Sequence, residues 1–325
     1  MAVDMKLMLV LMAAASVAAA RHTWAGVEMM SIQMAEAERR QAPDAPNLPD
    51  LAKQLGLNTL VQLVKQAGLA DALSGAGPFT VFGPTDAAFS ALPSWAKEAV
   101  KNVTVLTEIL KYHVLSTVAM SKDIKDEMVV DTLQGLPIRF NIYPNNGVYT
   151  AQCSPIDLKN VDKKASNGVL HELTRVMIPP AGDIVDAAIA CPVFKTLVTA
   201  VKAAGLVDTL KGKGPFTVFA PTDKAFAKIP KATLDNLLSN KTALTAVLTY
   251  HVAPLTYCSA GIVSYDSIKT VNGAKVKISV AGGTVKLNNN VKVVAGGADG
   301  SVTNGVVHAI DTVLMPPGFD LNSLH

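Results

Sequence analysis

The sequence predicts an α+β fold built twice in tandem, and three observations carry that expectation. The segment "GPFTVFGPTDAAFSALP" (Gly77 to Pro93) returns as "GPFTVFAPTDKAFAKIP" (Gly214 to Pro230), with twelve of seventeen positions identical. The runs on either side return too, in the same order and at matching distances. Within each copy the helix-patterned runs come early and the alternating runs come late. That order argues for helices segregated beside a mainly antiparallel sheet rather than a βαβ arrangement. A chain of 325 residues has room for two domains of ordinary size.

Taken in order, residues 1–20 read as a secretory signal. Lys6 precedes "LMLVLMAAASVAAA", which is too short to span a bilayer and ends in small side chains, with Ala18 and Ala20 suited to signal peptidase. Residues 21–47 read as a Pro-rich linker, because the prolines of "QAPDAPNLPD" prevent a helix from continuing. The first repeat is placed at 48–181, the second at 182–318, and a short tail at 319–325.

Each repeat opens on an amphipathic helix. In "LNTLVQLVKQAGLADAL" (Leu57 to Leu73), Leu60, Leu63, Val64 and Ala67 share one face, and "FKTLVTAVKAAGLVDTL" (Phe194 to Leu210) repeats the pattern. "FTVF" is a short buried strand that Pro84 or Pro221 ends. Thr85-Asp86 and Thr222-Asp223 then open a helix, since a hydroxyl or carboxylate accepts the free amide hydrogens of a first turn. Phe79, Val81, Phe82 and Phe89, with Phe216, Val218, Phe219 and Phe226, are the expected core, each contributing roughly 1.5–3 kcal/mol on burial. A second helical run leads into "YHV" in both copies. Strands follow: Val276, Ile278 and Val280 fall on one face, and Asn272-Gly273 and Gly282-Gly283 are hairpin turns. "NGVLHELTRVMIPP" (Asn167 to Pro180) and "NGVVHAIDTVLMPP" (Asn304 to Pro317) close the copies.

Composition narrows the function. Charged residues are 17%, aromatics 5% and hydrophobics 50%, which suits core-rich domains. A net charge of +3 with no basic stripe interleaved with aromatics excludes a nucleic-acid partner. From Gly182 onward there are 13 Lys and no Arg against 9 Asp and no Glu, so the second copy is mildly cationic. Those lysines are expected on the surface, where acidic glycans are the partner they would favour. No later stretch is apolar for eighteen residues and "PPGFDLNSLH" has no hydrophobic tail, so neither a membrane span nor an anchor is expected.

"NVT" at Asn102 and "NKT" at Asn240 are glycosylation sequons at equivalent places in the repeats. Of three cysteines, Cys191 and Cys258 lie together in the second half and are the expected disulfide, leaving Cys153 over. Reactive motifs fail on inspection. "HELTR" at His171 lacks the second histidine of a zinc helix, "GKGP" lacks the hydroxyl residue of a phosphate loop, and no "GxSxG" occurs. No enzyme activity, cofactor or metal is expected.

With the two boxes and the intervening Tyr-His in order, twice over, the chain resembles the fasciclin-domain family across nearly its whole expected mature length. The resemblance implies two tandem fasciclin domains, each a compact wedge of a small antiparallel β-sandwich flanked by helices. Members are typically secreted or surface-anchored adhesion and matrix proteins, and periostin-like relatives carry several such domains in a row. It implies Tyr112, His113, Tyr250 and His251 as adhesion residues, because the family's Tyr-His element has been proposed to meet integrins. Two further integrin-linked motifs match poorly. "SKDIK" keeps only Lys122-Asp123-Ile124, and the stretch before the last box retains only Asp162 and Asp299.

The resemblance also places the box aspartates near the Tyr-His imidazoles, so Asp223 is expected to orient His251, and Asp86 to orient His113. The internal histidines, His171 and His308 among them, sit in apolar runs where a neutral ring can satisfy buried backbone groups, and they read as structural braces rather than ligands. The implied function is a secreted matrix or adhesion protein that binds a cell-surface receptor such as an integrin, or a matrix protein such as collagen. The alternative is an extracellular carrier of a small apolar ligand.

Overall fold

The computed structural model describes residues 45–321 apart from Gly283, so the leader expected over 1–20 and nearly all of the linker lie outside the described residues. The α+β class holds in both repeats. The first repeat runs through helices Leu48–Gln54, Asn58–Gln66 and Ala70–Ser74, strand Phe79–Pro84, and helices Asp86–Ser90, Ser94–Ala99 and Val103–Tyr112. Its remaining strands then follow from Val114–Leu115 to Gly168–Leu173. The second repeat reproduces this order from Ile184–Ala190 to Gly305–Ile310, with a short α-helix at Ser259–Ile262 where the first repeat has a 3-10 helix at Ser121–Asp123.

Each opening helical run is broken in two. The first ends at Gln66 and resumes at Ala70, and the second stops at Ala204 and resumes at Val207. Gly68 and Gly205 take positive φ, +68° and +71°, which ends a helix and which only glycine adopts at little cost. The predicted inward face is nonetheless correct: Leu60 and Val64 are buried, with Leu63 and Ala67 packed against the same cluster.

Each repeat carries two four-stranded sheets. In the first repeat one sheet runs Val114–Leu115, Phe79–Pro84, Gly168–Leu173, Lys163–Ala165, and the other is a meander from Val129–Asp131 to Ser154–Pro155. The sheets are antiparallel except at one place in each repeat. There the first box strand pairs in parallel with the last, Phe79 opposite Gly168 and Phe216 opposite Gly305. Sequence order alone hides this pairing, because the two boxes stand at opposite ends of the unit.

The central strand is buried on both faces. Val81 joins a cluster with Leu60, Leu106 and Leu170 under the helices, while Phe82 joins Ile138, Phe140 and Leu173 between the sheets. Val218 and Phe219 divide in the same way. Of the expected core, Phe79 and Phe216 are only partly buried and the rest fill it. Val280 lies exposed where its strand runs past the core, although Val276 is buried. The Asn272-Gly273 turn is present with Gly273 at φ +93°, while the second predicted turn includes Gly283, outside the described residues.

Asn167 and Asn304 join the two ends of each unit. Asn167 Oδ1 accepts from Leu48 N at 3.0 Å while its Nδ2 donates to Leu73 O and Gly75 O, and Asn304 makes the same three bonds to Ile184, Leu210 and Gly212. Sequence reading missed this role, although both closing boxes keep "NGV".

Candidate functional site

Helices Val103–Tyr112 and Lys241–Tyr250 end on the Tyr-His motif, and their apolar stripes turn both residues into the core. Tyr112 Oη donates to Pro137 O and Tyr250 Oη to Lys275 O, each at 3.0 Å. Burial pushes the Tyr112 phenol well above its ordinary range. His113 Nδ1 donates to Ile109 O at 2.8 Å while Nε2 accepts from Met177 N at 3.0 Å. His251 does the same with Val247 O and Leu314 N. Desolvation pushes both imidazoles down to about 4, so each ring is neutral with its proton on Nδ1.

These geometries correct the expected adhesion surface. Tyr112, His113, Tyr250 and His251 are 0%, 2%, 0% and 1% exposed. No receptor reaches their side chains in the folded chain. The imidazoles pin the end of a helix to the segment after the last box strand, and the phenols pin it to the second sheet at Pro137 and Lys275.

The aspartate brace is corrected as well. Asp223 Oδ1 accepts from Thr196 N at 2.7 Å and Asp86 Oδ1 from Thr59 N at 2.8 Å, so each caps the first turn of a neighbouring helix and neither bonds an imidazole. The helices they cap begin after Leu57 and Phe194, whose side chains cannot accept, so the cap comes from elsewhere in the fold. The bond from Thr59 N holds the Asp86 carboxyl below its ordinary range. Thr85 and Thr222 cap their own helices, as the sequence suggests.

His171 and His308 are braces. His171 Nε2 donates to Ala119 O at 2.8 Å and Nδ1 accepts from Asp162 N, and His308 repeats this with Tyr257 O and Asp299 N. Both nitrogens of all four rings are thus engaged with backbone groups.

The chemistry-bearing side chains that do converge lie between the repeats. Cys153 and Cys258, 105 positions apart in the chain, form a disulfide, and Cys191 is the free thiol, which overturns the expected Cys191–Cys258 bridge. Membership of the same repeat misled here. Cys191 packs on the helical core of the second repeat, whereas Cys258 clusters with Tyr143 and Cys153 of the first repeat and with Val306.

Around the disulfide, Tyr143 Oη accepts from Cys258 N at 2.7 Å and donates to Thr256 O at 3.0 Å. Glu127 accepts from Thr256 N at 2.7 Å, and Asn145 and Asn146 donate to Ser264 O and Ala260 O. Arg175 donates to Cys153 O and, at 2.7 Å, to Asp299 Oδ2. Burial pushes the Asp299 carboxyl up, but His308, Arg175 and the bonds from Ser259 outweigh it and hold it low. Cys153, Cys258 and Asp299 come close enough together to suggest a metal site, yet a disulfide offers no thiolate.

The sequon asparagines are exposed helix caps. Asn102 Oδ1 accepts from Thr104 N at 2.9 Å and Asn240 Oδ1 from Ala243 N at 3.0 Å, so capping uses the oxygen and not the amide nitrogen a glycan would modify. Among the described residues no helix is long and apolar enough to cross a membrane.

Comparison with known proteins follows the same division into repeats. The family described as "Fasciclin domain" matches residues 55–179 and 192–316. Pig transforming growth factor-beta-induced protein ig-h3 is 34% identical over 277 residues, covering 85% of this chain and 38% of the relative. Human periostin is 31% identical over 265 residues, covering 81% of this chain and 31% of periostin. The chain thus spans about a third of the length of these relatives. A solved FAS1 domain pair from the insect cell adhesion molecule Fasciclin I covers 81% of this chain at a TM-score of 0.40 and 18% identity.

Proposed function

The chain belongs to the fasciclin-domain family, matched over both repeats, and we propose that it acts as a secreted, non-catalytic adhesion component of the extracellular matrix. Its two domains would present one composite surface to a cell-surface receptor of the integrin class or to a matrix protein such as collagen, with acidic glycans engaged by the lysines of the second domain.

The observation that carries this reading is the interdomain junction. The disulfide, the Arg175–Asp299 ion pair and the Tyr143 bonds fix the two modules relative to each other. A fixed pair of weak sites binds an immobile target with higher effective concentration than the same sites on separate modules. The Tyr-His residues that the sequence offered as contacts are buried inside the domains, which supports a role for the outer faces.

The test is attachment of integrin-bearing cells to surfaces coated with the full chain, beside collagen and heparin binding in solution. We expect attachment by the intact chain and weaker attachment by the chain with Cys153 and Cys258 both changed to Ser. A folded, disulfide-bonded chain that binds neither cells, collagen nor heparin overturns the proposal.

A further inference from the structure

The second domain contains a cavity of about 920 Å³ between helix Ile184–Ala190 with the turn after it, residues 294–300, and the floor of strand Gly305–Ile310. Pockets that hold small ligands run from roughly 300 to 1,000 Å³. Val193, Phe194, Val294, Val302 and Val307 give it an apolar lining, and Cys191 stands in its wall.

The first domain is an internal reference that shows how the space arises. The backbone is held alike in both: Val294 N donates to Ala309 O and Ala309 N to Gly297 O, as Asp157 N donates to Glu172 O and Glu172 N to Asn160 O. The side chains on that frame differ. Ala309 stands where the first domain has the buried Glu172, while the counterpart of Ala295, Leu158, points to solvent and that of Ala298, Val161, packs between the sheets. The opposite wall is lowered too. Aligned on the equivalent bonds of Ile184 N and Leu48 N to the box asparagines, Ala187 and Cys191 replace Leu51 and Leu55. Leu51 is 9% exposed in its own core, so its counterpart has given up a packed side chain. The strand at Ala309 and the helix at Ala187 and Cys191 thus both carry smaller side chains around one volume while the hydrogen bonds beneath it are kept.

The rim supplies one charge that is not already committed. Asp223 is engaged by Thr196 N, Asp311 by Lys292 N, and Lys228 by Thr312 Oγ1, with Asp311 at 3.7 Å. Lys224 also borders the cavity, is exposed, and has no ion-pair partner among the described residues. We infer that the second domain binds a small amphipathic ligand of the fatty-acid class, its aliphatic body in the cavity and its carboxylate at Lys224. This goes beyond adhesion and does not depend on it.

Cys191 is a native reporter of occupancy. In the full chain, saturating hexadecanoate should slow alkylation of Cys191 by N-ethylmaleimide by about tenfold or more, since a ligand seated against the thiol excludes the reagent. Ala187→Leu, which restores the first domain's residue, should abolish binding of hexadecanoate measured by displacement of anilinonaphthalene sulfonate. Lys224→Glu should weaken hexadecanoate by about three- to tenfold while leaving hexadecanol unchanged, the sign of a rim charge pair. Unchanged Cys191 alkylation in the wild-type chain at saturating hexadecanoate overturns the proposal without recourse to any variant. So does hexadecanoate binding that survives Ala187→Leu.

Discussion

Gly261 of the second domain lies directly under the ring of Tyr143 of the first: a Cβ at 261 would fall inside van der Waals contact with three ring carbons. The glycine lets helix Ser259–Ile262 approach closely enough for the Tyr143 hydroxyl to engage Cys258 N and Thr256 O. Gly261→Leu should therefore force the domains apart at this edge, at a cost of about 1–3 kcal/mol typical of overpacking. The expected readout is a larger radius of gyration in small-angle scattering, with the fold of each domain intact by circular dichroism.

The disulfide assignment predicts a simple chemical pattern. Under denaturing, non-reducing conditions one N-ethylmaleimide should add per chain, at Cys191, and digestion should release a peptide pair linked through Cys153 and Cys258. Removing the bridge should lower stability by about 2–4 kcal/mol, because a long loop regains its freedom in the unfolded chain. A linked Cys191–Cys258 pair would refute the pairing.

The buried imidazoles set a pH dependence. His113 and His251 fall from 6.5 to about 4 on folding, so the folded chain favours the neutral ring. The unfolded chain takes up these protons first as pH drops. Stability from these groups is therefore complete above pH 6.5, declines as pH falls through this window, and is gone by about pH 4. Each ring contributes on the order of 3 kcal/mol. Urea unfolding at neutral pH and at about pH 4 measures this fall together with that of the other shifted groups, His171 among them, and His251→Gln isolates one ring by showing a shallower fall across the same window.

Asp223 separates a helix cap from a histidine partner. Asp223→Ala should cost about 1 kcal/mol through loss of the Thr196 bond, and Asp223→Asn should recover most of it. The imidazole of His251 should titrate unchanged in both variants by NMR, because its nitrogens are held by Val247 and Leu314. A shift in that titration would restore the aspartate–imidazole pairing.

The sequon asparagines allow glycan and cap to be separated. Thr104→Val and Thr242→Val destroy the sequons and leave the Asn102 and Asn240 caps in place. In chain secreted from a eukaryotic host, each should remove one glycan from the electrophoretic mobility with little change in melting. Asn102→Ala should lose the glycan and about 1 kcal/mol of capping together.

The tandem fold was legible in the sequence because it rests on local chemistry written twice. The period of Leu60 and Val64, the Pro-Thr-Asp corner after each "FTVF", and the alternation around Val276 all act over a few residues, and a linear reading sees that range. Even the break at Gly68 had its residue in view. The internal use of His171 and His308 was legible too, since an imidazole in an apolar run must find backbone partners.

What the tertiary structure decided were the relations between distant segments. It paired Phe79 with Gly168 in parallel, sent Asp223 to Thr196 rather than His251, and buried the Tyr-His motif that looked like a contact surface. It also joined Cys153 to Cys258 across the domain boundary and opened a cavity where two trimmed walls face each other. The physical reason is the same throughout. Covalent sequence fixes the conformations a short stretch can adopt, whereas partner choice among buried polar groups depends on which surfaces the packed core brings within bonding distance.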